Sequence, residues 1–232
     1  MEVKLISITE NPEKFIAYIA RVSSPENQQN PDYVKLIKYL IRNSHFSPFE
    51  HSYFTVEIKT SRAISAQLIR HRSFVFQELS QRYTTVSEFE PIEIRKQATK
   101  NRQSSLEVFD PAILGNDYTA SMLIAEVLQH AKTSYDLLIK AGVAKEVARM
   151  ILPLTTQTTI FMTGSIRSWI HYLALRDDEH TQKEHRLIAQ EIRQIFNQYL
   201  PTVAQALVEL AKEKADKELL YTLLMDGKIQ LP

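Results

Sequence analysis

"SYFTVEIKTSRAISAQLIRH" (52–71) carries two periodicities in twenty residues, and the switch between them sets the fold class. Over residues 52–60 Phe54, Val56 and Ile58 recur at every second position, placing three apolar side chains on one face of a strand. From Ser61 the pattern turns helical, so a strand runs directly into a helix. A second such junction lies downstream. "TTQTTIFMTGS" (155–165) is rich in β-branched residues and reads as a strand, with helices expected over about 166–176 and 181–199. Upstream, "VKLISIT" (3–9) reads as a short first strand, and Asn11-Pro12 as a cap and first helical residue opening a helix over 13–22. Pro31 opens another over 32–43, where Val34, Ile37, Leu40 and Ile41 keep helical spacing.

The second half is dominated by amphipathic helices. One spans 119–142 and stops at Gly142, one spans 144–152 and is halted by Pro153, and a last one covers about 202–224. From Phe89 to Asp117 the periodicity dissolves, and a long surface loop with some short structure is expected. The pattern gives an α+β chain, a single domain over 1–232: a small mixed or antiparallel sheet of three or four strands flanked by several helices.

At 232 residues the chain can bury a core without disulfides, and it has no cysteine, which excludes disulfides, thiolate metal sites and cysteine nucleophiles. Lysine and arginine number 28 against 27 acidic residues, a net charge of +1, which argues against a protein that coats nucleic acid through bulk charge. The opening "MEVKLISITE" lacks a basic stretch before an apolar run, and no run of about 18 apolar residues occurs. We expect a soluble cytoplasmic protein with no membrane and no nucleic-acid partner.

Against that neutral background "RHRSFVFQELSQRY" (70–83) stands out, with Arg70, His71, Arg72 and Arg82 in fourteen residues. Such groups repel one another unless an anion sits among them. If 77–83 continues as extended chain, alternation puts Glu78, Ser80 and Arg82 on one side and Leu79, Gln81 and Tyr83 on the other. Arginine's planar fork with a serine hydroxyl suits a nucleotide phosphate, and a solvated surface segment with local ion pairs is the competing reading. Gln67 lies one helical turn before Arg70 and His71 and shares their face. Arg149 sits among apolar residues on a helix of otherwise buried character, with Glu146 three positions earlier as a possible ion-pair partner. Over 166–176, Ile166, Trp169, Ile170 and Leu173 form an apolar stripe, Arg167 and His171 lie one turn apart on another face, and Arg176 closes the helix, where a cation also offsets the helix dipole. A metal is not expected: His45 and His51 flank Pro48 in a loop, and the i,i+5 spacing of His180 and His185 places them on different helix faces.

These residues match a known family. Arg70, His71 and Arg72, seven residues, then Ser80 resembles the signature of the flavin-dependent thymidylate synthases. "ARVSSPEN" (20–27), "HFSPFEH" (45–51), "EVARMILP" (146–153) and "RSWIHYLALRDDEHTQ" (167–182) are similar to further motifs of that family in the same order. The resemblance implies methylation of dUMP to dTMP, with methylenetetrahydrofolate as carbon donor, FAD as hydride carrier, NADPH as reductant and no cysteine nucleophile. It also implies a homotetramer with active sites between subunits. Carried over, Ser47, Arg70, His71, Arg72, Glu78, Ser165, Arg167 and His171 look like FAD contacts, with His45 near the folate or flavin ring. Many members carry asparagine at the positions of Ser165 and His171, where these two side chains keep hydrogen-bonding capacity. Gln67, Arg70, Glu78, Ser80, Gln81, Arg82, Arg149 and Arg176 resemble the dUMP set. Arg176, Ser80 and His71 stand as catalytic candidates, Arg176 as the arginine that stabilises charge on the uracil. The alternative is a non-catalytic nucleotide- or RNA-binding module using the same arginines for phosphates.

Overall fold

A computed structural model of the chain describes residues 1–115 and 117–225; Asn116 of the expected loop and the last seven residues of the expected domain lie outside the described residues. In chain order the first elements are β1 (Glu2–Ile8), α1 (Pro12–Ala20), α2 (Val34–Arg42), β2 (Tyr53–Ser61), α3 (Arg62–Leu68) and β3 (Val75–Glu78). A hairpin of β4 (Arg95–Gln97) and β5 (Ser105–Val108) follows, then α4 (Ala120–Lys140), α5 (Lys145–Ala148), β6 (Gln157–Ser165), α6 (Ile166–Arg176), α7 (Lys183–Tyr199) and α8 (Pro201–Met225). The hairpin gives the expected loop over 89–117 its short structure.

Four strands form one sheet in the order β1-β2-β6-β3, every pairing antiparallel, so the sheet is not mixed. Alternation along β2 buries Phe54, Val56 and Ile58, and along β6 it buries Ile160 and Met162 on the same side. Helices α6 and α7 cover that face with Trp169, Leu173, Ile188, Ile192 and Phe196, and Trp169 stacks on Phe54 at 4.2 Å between ring centroids. At the edge, β1 carries a register shift between Leu5 and Ser7, and Glu191 of α7 accepts a hydrogen bond from the Val3 amide at 3.1 Å. Both strand-to-helix junctions are sharp: β2 passes into α3 and β6 into α6 without an intervening residue.

Four expectations need correction. Extended chain ends at Glu78: the Tyr83 and Thr84 amides both donate to the Ser80 carbonyl, so Ser80–Tyr83 is a turn, because this polar segment has no sheet partner to hold it straight. The 144–152 helix is a short α5 followed by a 3-10 turn, and most of its apolar side chains are uncovered: Ala148 is buried, but Val147, Met150 and Ile151 are exposed. Glu146 pairs with Arg82 rather than Arg149, because the turn after β3 lies against the start of α5, where Lys145 also donates to the Tyr83 carbonyl at 2.7 Å. Asn11 adopts a left-handed conformation and its side chain makes no capping bond, although Pro12 does open α1.

Candidate active site

The site is built where α3, β3 and the end of α6 converge. At the end of β3, Glu78 is held by three donors on one carboxylate oxygen: Ser65 Oγ of α3 at 2.6 Å, Arg62 Nη1 at 2.7 Å and Thr158 Oγ1 of β6 at 2.9 Å. Ser65 and Thr158 are buried. Three bonds on Oε1 fix the orientation of the group and leave Oε2 for a ligand.

Beyond the last turn of α3, His71 faces α6. Its Nε2 accepts a hydrogen bond from Arg176 Nε at 2.9 Å, across 105 positions of sequence. Burial, followed by the positive charge of Arg176 and then His171, holds the His71 ring down to about 4, so it is neutral at physiological pH. A neutral ring accepting at Nε2 carries its proton on Nδ1, and the Arg176 guanidinium keeps Nη1 and Nη2 for other partners. Phe74, Tyr172 and His185 pack edge-on around His71 at 5.0 to 6.4 Å between ring centroids. Phe74 in turn lies against Gly164, where a Cβ would overlap two of its ring carbons.

Gln67 is brought to the same place: its Oε1 lies 3.2 Å from His185 Nδ1 and its Nε2 donates to Gln182 Oε1 at 2.6 Å. Arg70, on the same turn, points outward. In the turn after β3, Ser80 is half-buried and Gln81 is buried with its amide nitrogen unpartnered among the described residues. Buried amides are seldom left so, and a nucleotide oxygen would satisfy it. Arg82 reaches Glu146 at 3.4 Å, an exposed pair worth at most about 1 kcal/mol and easily exchanged for a phosphate. Among the described residues Arg70, Arg72 and Arg149 form no ion pair.

A groove of about 900 Å³ opens at the start of α6, lined by Phe46, Tyr53, Ser73, Ser168, His171 and Lys214 among others. Ser165 lines it but is occupied as the α6 cap, accepting from the Ser168 amide at 3.2 Å; Arg167 also lines it and is bound to Glu50. Ser47 and His45 are exposed in the segment before β2, with His45 edge-on to Tyr39. The donor set fits the flavin dinucleotide implied by the resemblance: the unpaired guanidiniums of Arg70 and Arg72 suit its phosphates, and the mixed apolar and hydroxyl groove suits a ring system.

The sequence reading missed Arg62, Ser65, Thr158, Tyr172 and Gln182. Serine and threonine on the buried face of an apolar strand or helix were the available signal, since such positions need partners. His185 was weighed only against a metal.

A family model described as thymidylate synthase complementing protein matches residues 4–202. A flavin-dependent thymidylate synthase of Synechocystis sp. is 48% identical over 217 residues, covering 89% of this chain and 99% of the relative. A probable flavin-dependent thymidylate synthase of Paramecium bursaria Chlorella virus 1 is 46% identical over the same length, covering 89% of this chain and 99% of the relative. Among solved structures, the UMP/dUMP methylase PolB of Streptomyces cacaoi bound with 5-Br UMP superposes with a TM-score of 0.75 at 25% identity, covering 90% of this chain and 94% of that one.

Proposed function

As the chain belongs to the family of flavin-dependent thymidylate synthases, we propose that dUMP is methylated to dTMP in the cleft between Glu78, His71, Gln67 and Arg176. The observation that carries this is the Arg176–His71 bond, which joins the Arg-His-Arg element to the far end of α6 at 2.9 Å. FAD, when bound, supplies the hydride chemistry, with methylenetetrahydrofolate as carbon source and NADPH as reductant.

The chain's own residues bind and orient. Arg70 and Arg72 hold the FAD phosphates, Ser47, Ser165, Arg167 and His171 line its site, and His45 lies on the folate or ring side. Arg82 releases Glu146 for the dUMP phosphate, assisted by Ser80, while Gln81 gains a partner for its buried amide and Arg149 adds charge. Glu78 presents its unused oxygen to an N–H of the base. Arg176, positioned by a neutral His71, directs a preorganised positive charge at the uracil, where negative charge develops as the ring is activated. A neutral His71 spends none of the local field on itself; a protonated one would repel Arg176. Two features support subunit-shared sites in a homotetramer: the exposed apolar surface of α4 and α5, and the exposure of Arg82 beside it, with Arg149 half-buried. Among the described residues no helix is long and apolar enough to cross a membrane, and we place the enzyme in the cytoplasm.

The test is direct. Purified protein should carry visible flavin absorbance and form dTMP from dUMP, methylenetetrahydrofolate and NADPH. Arg70→Ala and Arg72→Ala should weaken FAD binding. Colourless protein that FAD cannot restore, with no dTMP formed, would leave only the nucleotide-binding reading.

A further inference from the structure

Beside the cleft runs a chain of hydrogen bonds whose direction is determined at one end. Arg95 of the β4–β5 hairpin donates to Glu184 Oε1 at 2.7 Å. Gln182 donates to Glu184 Oε2 at 2.9 Å, Gln67 donates to Gln182 Oε1 at 2.6 Å, and His185 and Tyr172 continue the line at 3.2 and 3.1 Å. Amides, imidazoles and hydroxyls can each face either way, but a carboxylate can only accept. Burial is the largest influence on Glu184 and opposes its charge, but the Arg95 bond, a backbone bond, the Gln182 bond and the Arg95 charge together outweigh it, so its carboxyl stays below the usual range. Gln182 must therefore turn its nitrogen to Glu184 and its oxygen to Gln67. Gln67 must then give its nitrogen to Gln182 and its oxygen to His185. His185 must hold its proton on Nδ1, and Tyr172 must donate to Nε2. His185 is completely buried, and that burial, with the Arg176 charge and His71 behind it, holds its ring to about 3, which keeps one proton on the ring and the chain unbroken.

We propose that Glu184 and His185 are positioning residues for the nucleotide: Glu184 through Gln182, and His185 directly with Tyr172 behind it, fix which end of the Gln67 carboxamide is nitrogen, so that its second Nε2–H keeps one direction as a donor to dUMP. The inference rests on reading Gln67 as a dUMP contact. It also ties the hairpin, through Arg95, to the geometry of the substrate site.

Histidine labelled with ¹⁵N in the FAD-loaded wild type reads the tautomer of His185 without any substitution. We expect Nδ1–H; the Nε2–H tautomer would overturn the proposal. In Glu184→Gln, whose side chain can donate or accept, a second His185 tautomer should appear, and a single unchanged Nδ1–H signal would remove Glu184 as the source of direction. His185→Leu should raise Kd and KM for dUMP roughly five- to ten-fold, with kcat and FAD affinity little changed, and His185→Asn should recover part of the loss. Gln67→Ala separates the two layers. Unchanged dUMP affinity in Gln67→Ala refutes the reading of Gln67, whereas weakened affinity there with none in His185→Leu refutes the positioning role. Should His185→Leu not fold, His185→Asn and the tautomer measurement still decide.

Discussion

Arg176 is the last residue of α6, where any cation would favour the helix dipole, but its Nε is committed to His71 rather than to the terminal carbonyls. That contact holds Arg176 at the cleft, and we read it as the catalytic arginine on that basis. Arg176→Ala should retain FAD yet lose dTMP formation by ~10²–10³ in turnover, the usual cost of removing one preorganised charge donor. The same variant should raise the titration point of His71, because the Arg176 charge is one of the causes that lower it. Near-normal turnover at saturating dUMP would return Arg176 to the role of a helix-end cation. The other residues of the cleft differ in how far pattern alone reveals them. Arg70, His71, Arg72 and Ser80 share a local spacing that can be read directly. Ser65 and Thr158 act on Glu78 only because α3 and β6 fold against β3, and nothing local announces that meeting.

At the scale of elements, the junction of β6 and α6 carries the most consequence. Gly164 lets the Phe74 ring lie against the strand, Trp169 closes on Phe74 at 4.6 Å, and His71 packs edge-on to that ring at 6.4 Å. Phe74 is almost fully buried and cannot swing away cheaply. Gly164→Ala should therefore cost ~1–3 kcal/mol of stability by overpacking and weaken dUMP binding as His71 shifts; a thermal melt and a dUMP titration check both. A melt matching wild type would show that the ring has room to move. β2, β6 and α6 were legible because each has one buried face, and burial writes its period into the sequence. The segment after Glu78 was misread because it is polar under either conformation, so alternation there carried no information about a partner strand. The apolar character around Arg149 was legible too, but its burial was not: Met150 and Leu154 are apolar and exposed on the single chain.

Of the 21 residues of α4 only Tyr135 is buried, while Met122, Val127 and Leu137 are exposed, as is Tyr83 near the substrate turn. A helix that long and that uncovered is consistent with chains closing over one another's sites. Light scattering should give about four times the 26.8 kDa chain mass. If Arg82 grips the phosphate from one chain and Arg176 meets the base from another, each alanine variant alone damages every site, but mixed oligomers contain sites with both native arginines. Co-expressed Arg82→Ala and Arg176→Ala should recover part of the lost activity, and verified mixed oligomers without recovery would place both arginines in one chain's site. An assembly of this kind has to distinguish wanted contacts from unwanted ones while chains are being made. The β1 edge bears on that: its outward Val3 amide is already taken by Glu191, and the register shift after Leu5 bends the strand. At the β1 rim the strand is thus a poorer template for fibre-like stacking, which leaves the uncovered helices as the surfaces through which newly made chains would meet.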